Sequence, residues 1–201
     1  MKEDKLIKFY NEIENLKTTT RYNTAPSIFL ESTADHTWRV SVMALDLKEK
    51  YDLNIDILHA IKIALIHDLG EYNQDNDVTI VDVINNKITK KQKDEMELES
   101  IMNLTIKYNR KDILKLWEEY ENQSSKEAKY IKLIDKMESM LHILDKIENG
   151  YIINNLTDDI IYADKYIKDF PELLPFLRII KQKYKKVFKK IGIKWLREYD
   201  I

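Results

Sequence analysis

The chain has 201 residues, 44% of them apolar, and a formal net charge of −2, enough for one buried core and too little net charge to draw it to nucleic acid or an anionic membrane. It has no cysteine, which excludes disulfides, thiolate zinc sites and cysteine nucleophiles and fits a reducing, cytoplasmic setting. Only three glycines and three prolines are present, and no Asn-Gly or Asp-Gly turn joins two strand-like runs, so the composition points to an all-α chain.

In chain order, Leu6, Ile7, Tyr10, Ile13 and Leu16 fall on a 3–4 spacing and predict a first helix over 3–17. This opening stretch is charged throughout and lacks the apolar centre of a secretory signal. A polar connection with one proline follows. The second predicted helix opens near Ser32 or Thr33, carries Trp38, Val42, Leu45 and Leu47, and runs to about Tyr51. Residues 55–68 read as a buried third helix that ends in HDLGE, residues 67–71. The stretch 72–88 has the weakest periodicity and reads as loop with at most a short helical turn. Helical patterning returns at 89–106, at 110–121 and from Ser124 to Ile147, where Ser124 and Glu127 have capping-box spacing and Asn149-Gly150 reads as a C-cap. Two further helices are expected at about 157–168 and 172–198, with Pro171 and Pro175 near their junction. The basic run KQKYKKVFKKIGIKW keeps Tyr184, Val187, Phe188 and Ile191 at helical spacing, the pattern of an amphipathic helix with a solvated face. No window reaches the roughly 18 apolar residues of a membrane span.

Of the four histidines, His59 and His142 lie beside apolar helix faces and read as satisfied boundary residues. His36 and His67 each stand next to a carboxylate, in Asp35-His36 and His67-Asp68, at opposite ends of two predicted helices. If those ends meet in a bundle, two imidazoles and a carboxylate converge, a donor set suited to borderline divalent ions. A fourth ligand is available in Asp135, whose helix neighbours Ile131, Ile134, Leu141 and Leu144 are apolar. A carboxylate on such a face costs several kcal/mol unless it is paired or bound to metal.

The order H…HD…D formed by His36, His67-Asp68 and Asp135 resembles the HD-domain metal-dependent phosphohydrolases. The likeness extends to three blocks in register. ESTADHTWRVSVMAL (31–45) resembles E-S-V-A-D-H-S-W-R, and ALIHDLGE (64–71) resembles A-L-x-H-D-x-x-E. Residues 116–141 resemble L-W-x-E-Y-E followed by E-A-x-x-x-x-x-x-D-K-x-E. These blocks mark the branch that contains the 5′-deoxynucleotidases and cover roughly residues 5–150.

The resemblance implies an HD-domain helical bundle with a metal site between helices, one domain over 1–201, with C-terminal helices at about 157–198 packed on the core. It implies one divalent ion per chain (Mn, Co, Zn, Fe, Ni or Mg) held by His36, His67, Asp68 and Asp135. It further implies removal of the 5′-phosphate of a deoxyribonucleoside monophosphate by water that the ion activates. Glu71 would orient that water or carry a proton to the leaving oxygen. Arg21 matches the phosphate-binding arginine. Tyr22 stands where the branch carries an aromatic, usually Trp, near the sugar. The branch also has a loop aspartate that contacts the sugar 3′-hydroxyl, and here Asp77 matches it better than Asp75, with one residue inserted and the glycine missing. These two departures keep open a hydrolase acting on nucleoside triphosphates or another small phosphate ester. A non-catalytic helical module with a retained metal site is the reading from another class. A homodimer is expected by analogy.

Overall fold

The computed structural model describes residues 2–21, 31–73, 88–150 and 160–201. Its helices are α1 (Lys2–Ile13), α2 (Thr33–Lys50), α3 (Ile57–Ile66), α4 (Lys90–Tyr108), α5 (Lys111–Asn122), α6 (Lys126–Glu148) and α7 (Leu174–Ile191), with short 3-10 turns at Glu14–Lys17, Leu69–Glu71, Ile167–Asp169, Pro171–Leu173 and Arg197–Tyr199. Among the described residues there is no strand, only an isolated antiparallel bridge between Thr20 and Ser32. The all-α expectation holds.

The centre of the bundle is α6. Ile131, Leu133, Ile134, Met137 and Met140 are fully buried along it, and α2, α3, α5 and α7 pack around it. Into this apolar helix the sequence sets Asp135, Glu138, Ser139 and His142, all buried. Their i, i+3, i+4, i+7 spacing draws one polar stripe down the inside of the molecule. The helix starts one residue later than the capping-box spacing suggests. Ser125 is the N-cap, its Oγ accepting from the Ala128 N–H at 3.0 Å. Glu127 turns away to accept from the Asp56 N–H at 3.0 Å and so ties α6 to the start of α3. Ser125→Ala should therefore cost about 1 kcal/mol in a denaturant titration, and Ser124→Ala a few tenths at most. Equal effects would contradict this cap.

Helix α2 opens as expected. Ser32 and Asp35 form a reciprocal capping box, with the Ser32 Oγ accepting from the Asp35 N–H at 3.1 Å and the Asp35 carboxylate accepting from the Ser32 N–H at 3.0 Å. Its buried face differs from the expected stripe. Leu47 is buried, but Trp38, Val42 and Leu45 are exposed, and the inward face is His36, Val40, Ala44 and Leu47. The amphipathic pattern has two faces at helical spacing, and the one with small Ala44 and polar His36 goes in because it lies against α6. On α1, similarly, Leu6, Ile7 and Tyr10 are exposed and Phe9 is the buried anchor.

The third helix ends at Ile66, so His67 and Asp68 follow it rather than belong to it. The chain then tightens into the 3-10 turn Leu69–Glu71. Leu69 and Tyr72 pin that turn into a smaller core with Phe9, Ile101, Leu104, Ile113 and Trp117. Gly70 allows the close approach, because a Cβ there would meet the Glu97 carbonyl oxygen at 3.0 Å.

At the C-terminal end the structure departs twice from the predicted helices. Of the helix expected over 157–168, residues 160–166 are turns leading into the 3-10 turn Ile167–Asp169, and residues 157–159 lie outside the described residues. Helix α7 stops at Ile191, since Gly192 adopts φ 79° and the Ile193 N–H returns to the Phe188 carbonyl at 2.9 Å. The last residues fold back onto the larger core, where Lys181, 4% exposed, donates to Asp164 at 2.6 Å and to the Tyr199 carbonyl at 2.9 Å. Tyr184, Val187 and Phe188 face inward as expected, whereas Ile191 is exposed.

Candidate metal centre

The capping box at Ser32 places His36 one turn into α2, where it is fully buried. Its Nε2 lies 3.3 Å from Asp135 Oδ1 and 3.6 Å from Asp68 Oδ2. His67 approaches from the end of α3, with Nε2 3.2 Å from the same Asp68 oxygen. The two imidazole rings are 5.4 Å apart. Each ring is anchored through its other nitrogen. His67 Nδ1 faces the Ala64 carbonyl at 2.6 Å, and His36 Nδ1 faces Glu138 Oε2 at 2.5 Å. With Nδ1–H donating outward in both, each Nε2 points into the centre, where it can act as a ligand atom once it carries no proton. Both Nε2 atoms are buried and neither makes a hydrogen bond, although carboxylate oxygens lie 3.2–3.6 Å away. Two buried nitrogens without a hydrogen bond call for a partner, and an ion held between them and the carboxylates would supply one. The ligand atoms of His36, His67 and Asp135 lie within 4.8 Å of one another, so the donors present fit a divalent ion.

The carboxylates are held from outside. Asp135 Oδ2 accepts from the Tyr120 hydroxyl at 2.7 Å and pairs with Lys136 Nζ at 3.0 Å, which leaves Oδ1 for the centre. Arg21 Nη1 donates to Asp68 Oδ2 at 3.0 Å, Nη2 donates to Ser139 Oγ at 3.4 Å, and Nε lies 3.6 Å from Glu31. Glu31 in turn pairs with His142 at 3.0 Å. Burial pushes the Asp68 carboxyl up, but His67, Arg21 and His36 outweigh it and hold the group below the usual carboxylate range. Asp135 behaves likewise, burial being outweighed by Lys136, His36 and His67. Burial, with the Asp135 charge, lifts the Tyr120 hydroxyl well above its ordinary value, so it remains a donor.

Glu71 is 4% exposed. The Thr33 hydroxyl, one turn before His36, donates to its Oε2 at 3.0 Å, and Lys93 Nζ lies 3.8 Å from Oε1. Glu71 is carried not by a continuation of α3 but by the 3-10 turn, whose Glu71 N–H returns to the Asp68 carbonyl at 3.0 Å. Five of the expected site residues, Arg21, His36, His67, Asp68 and Asp135, are thus joined by side-chain contacts, and Glu71 follows them through its backbone N–H to the Asp68 carbonyl while its side chain meets Thr33 and Lys93. Tyr22 and Asp77, with its alternative Asp75, lie outside the described residues. Sequence reasoning gave no role to Glu138, Glu31, Ser139, Tyr120, Lys136 or Thr33. The polar stripe on α6 is the signal that points to Glu138 and Ser139. His59 pairs with Glu119 at 2.9 Å, in keeping with a boundary role.

A family model described as HD domain matches residues 13–173 of this chain. The chain belongs to the HD-domain family. Among curated proteins it is similar to the zebrafish (Danio rerio) protein named 5′-deoxynucleotidase HDDC2, 35% identical over 123 residues, which are 59% of this chain and 58% of that one. The human protein of the same name is 39% identical over 111 residues, 55% of this chain and 52% of its own. Baker's yeast 5′-deoxynucleotidase YBR242W is 33% identical over 172 residues, 81% of this chain and 68% of its own. The chain spans about half the length of the animal relatives it matches. A solved structure of a conserved hypothetical protein from Pyrococcus furiosus superposes with TM-score 0.66 at 26% identity, over 86% of this chain and 98% of that one. PH0347 from Pyrococcus horikoshii, 24% identical, shares the fold with TM-score 0.68 over 87% and 99% of the two chains.

The HD centre should bind metal in a pH-dependent way. Burial and the Arg21 charge push the His36 imidazole down, but Glu138 and Asp135 outweigh them and lift it to about 9. Below that pH the metal-free site holds a proton that ligation must expel. Apparent Zn²⁺ affinity should rise with pH, by up to about tenfold per unit, and level off near 9. Calorimetric titrations in buffers of different ionisation enthalpy count the released proton. Affinity that does not vary below that pH would contradict a protonated His36.

Proposed function

We propose that this chain is a metal-dependent phosphohydrolase that removes the 5′-phosphate from deoxyribonucleoside 5′-monophosphates. The observation that carries this reading is the convergence of two unbonded Nε2 atoms and two carboxylates next to the Arg21 guanidinium. The names of the curated relatives supply the substrate class. His36, His67, Asp68 and Asp135 would hold the ion, which when bound supplies a Lewis acid and a water of lowered pKa. Arg21 offers its planar fork to the phosphate, exchanging part of its pairing with Asp68 for the substrate. Glu71, steadied by Thr33, orients the attacking water and passes a proton to the leaving sugar oxygen. Tyr22 and Asp77 are assigned to the sugar, from the sequence resemblance alone.

In the same reading, residues 1–201 form one domain that takes one divalent ion, Mn, Co, Zn, Fe, Ni or Mg, and works as a cytoplasmic homodimer on small nucleotides rather than nucleic acid or membrane. No described helix is long and apolar enough to cross a membrane. The test is phosphate release from a panel of deoxy- and ribonucleoside mono- and triphosphates with each ion. Release from deoxyribonucleoside monophosphates supports the assignment. Release of triphosphate or pyrophosphate with monophosphates untouched overturns it in favour of a triphosphate hydrolase. No release from any phosphate ester, with metal bound, would leave the binding-module reading.

A further inference from the structure

Glu138 has no part in the hydrolysis described above, yet it is 0% exposed on the most buried helix of the molecule. A carboxylate in that position is retained only if its charge is matched. Both of its oxygens have partners on α2. Oε2 lies 2.5 Å from His36 Nδ1, and Oε1, which makes no hydrogen bond, lies 3.2 Å from Arg39 Nε as an ion pair. Arg39 follows His36 by three residues and so shares its helix face, while its side chain, 32% exposed, reaches out to solvent. A chain of three groups thus runs from the surface to the far side of the imidazole.

We propose that Glu138, held by Arg39, is the positioning residue for His36: it binds the Nδ1–H and thereby presents Nε2 as the ligand atom. This rests on the reading of His36 as a metal ligand. Two facts favour it over the alternative that Glu31, His36 and Glu138, whose donor atoms also lie within 4.8 Å of one another, form a second ion site. His36 Nδ1 is already committed to Glu138. The two carboxylates, moreover, already face guanidinium groups, Glu138 that of Arg39 at 3.2 Å and Glu31 that of Arg21 at 3.6 Å. Each of the two carboxylates thus has a guanidinium beside it without an added ion.

The test uses the full chain and Zn²⁺ alone, in competition with a chelator, together with NMR of protein labelled with ¹⁵N at its four histidines. Glu138→Gln keeps the shape and removes the charge. Measured above about pH 9, where the proton that Glu138 helps hold on His36 no longer competes with the metal, it should weaken Zn²⁺ binding about 10- to 100-fold and move the His36 Nδ1–H resonance upfield. Arg39→Met should shift both readouts in the same direction by less, and Arg39→Lys should restore most of the affinity. A Glu138→Gln protein with wild-type affinity overturns the proposal. So does one that loses affinity while the resonance stays put, because the loss is then merely structural. Should Glu138→Gln fail to fold, Arg39→Met decides by the same pair of measurements, and no change in either overturns the proposal. Wild-type protein that binds no Zn²⁺ would remove the ligand reading of His36 itself, and the proposal with it. Activity with Glu138→Gln affinity unchanged would leave the phosphohydrolase standing and remove only this inference.

Discussion

His67→Ala is expected to lose the bound ion and to release phosphate at least about 1,000-fold more slowly, as follows from removing several kcal/mol of charge stabilisation. The reason is local. His67 is fixed by its Nδ1 contact to the Ala64 carbonyl at 2.6 Å, and the Tyr120 ring packs against it with centroids 5.0 Å apart. Among the described residues the only other buried imidazole nitrogen in the cluster is that of His36. Alanine leaves Asp68 and Asp135 facing one nitrogen donor, with no replacement close by. Elemental analysis of the purified variant is the direct check, and circular dichroism confirms that the helices survive. His59→Ala is the control, since its partner is Glu119 rather than the cluster, and it should keep both metal and activity. A His67→Ala protein with normal metal content would take His67 out of the ligand set.

How far the sequence alone reaches differs from residue to residue. Asp135 is legible because a carboxylate amid Ile131, Ile134 and Leu144 has to be accounted for, and the structure accounts for it with Tyr120, Lys136 and the two imidazoles. Glu138 lies three residues on in the same block and is more deeply buried, yet its role is not legible. Periodicity places it on the inward face but cannot say that Arg39 and His36 stand opposite. Trp38 shows the opposite failure. Its size suggests core, but the inward face of α2 is chosen by the tight approach to α6, which favours Ala44 and Val40. Helix ends are legible where capping chemistry is local, as at Ser32 and Asp35. They fail where a neighbour competes for the cap, as when Asp56 recruits Glu127 and moves the start of α6 to Ser125. The site's frame is therefore carried by local signals, and its outer contacts by long-range pairs that no spacing rule contains.

Glu71→Gln separates the proton from the metal. The amide is close in shape to the carboxylate, and its oxygen can still accept from Thr33 Oγ1, so the 3-10 turn pinned by Leu69 and Tyr72 should hold. Metal content should match wild type. Turnover should fall about 100- to 10,000-fold, the usual contribution of a positioned acid or base, with KM for the monophosphate little changed. Thr33→Val removes only the hydroxyl that steadies the carboxylate, so its loss should be nearer tenfold, a partial misalignment rather than a missing proton carrier. The order of the two effects is the point of the experiment. If Thr33→Val cost as much as Glu71→Gln, the shared requirement would be the packing of the turn against α2. If Glu71→Gln kept its rate while His67→Ala lost it, the proton would be carried by another group, and Glu71 would reduce to the carboxylate that ties the 3-10 turn to Thr33.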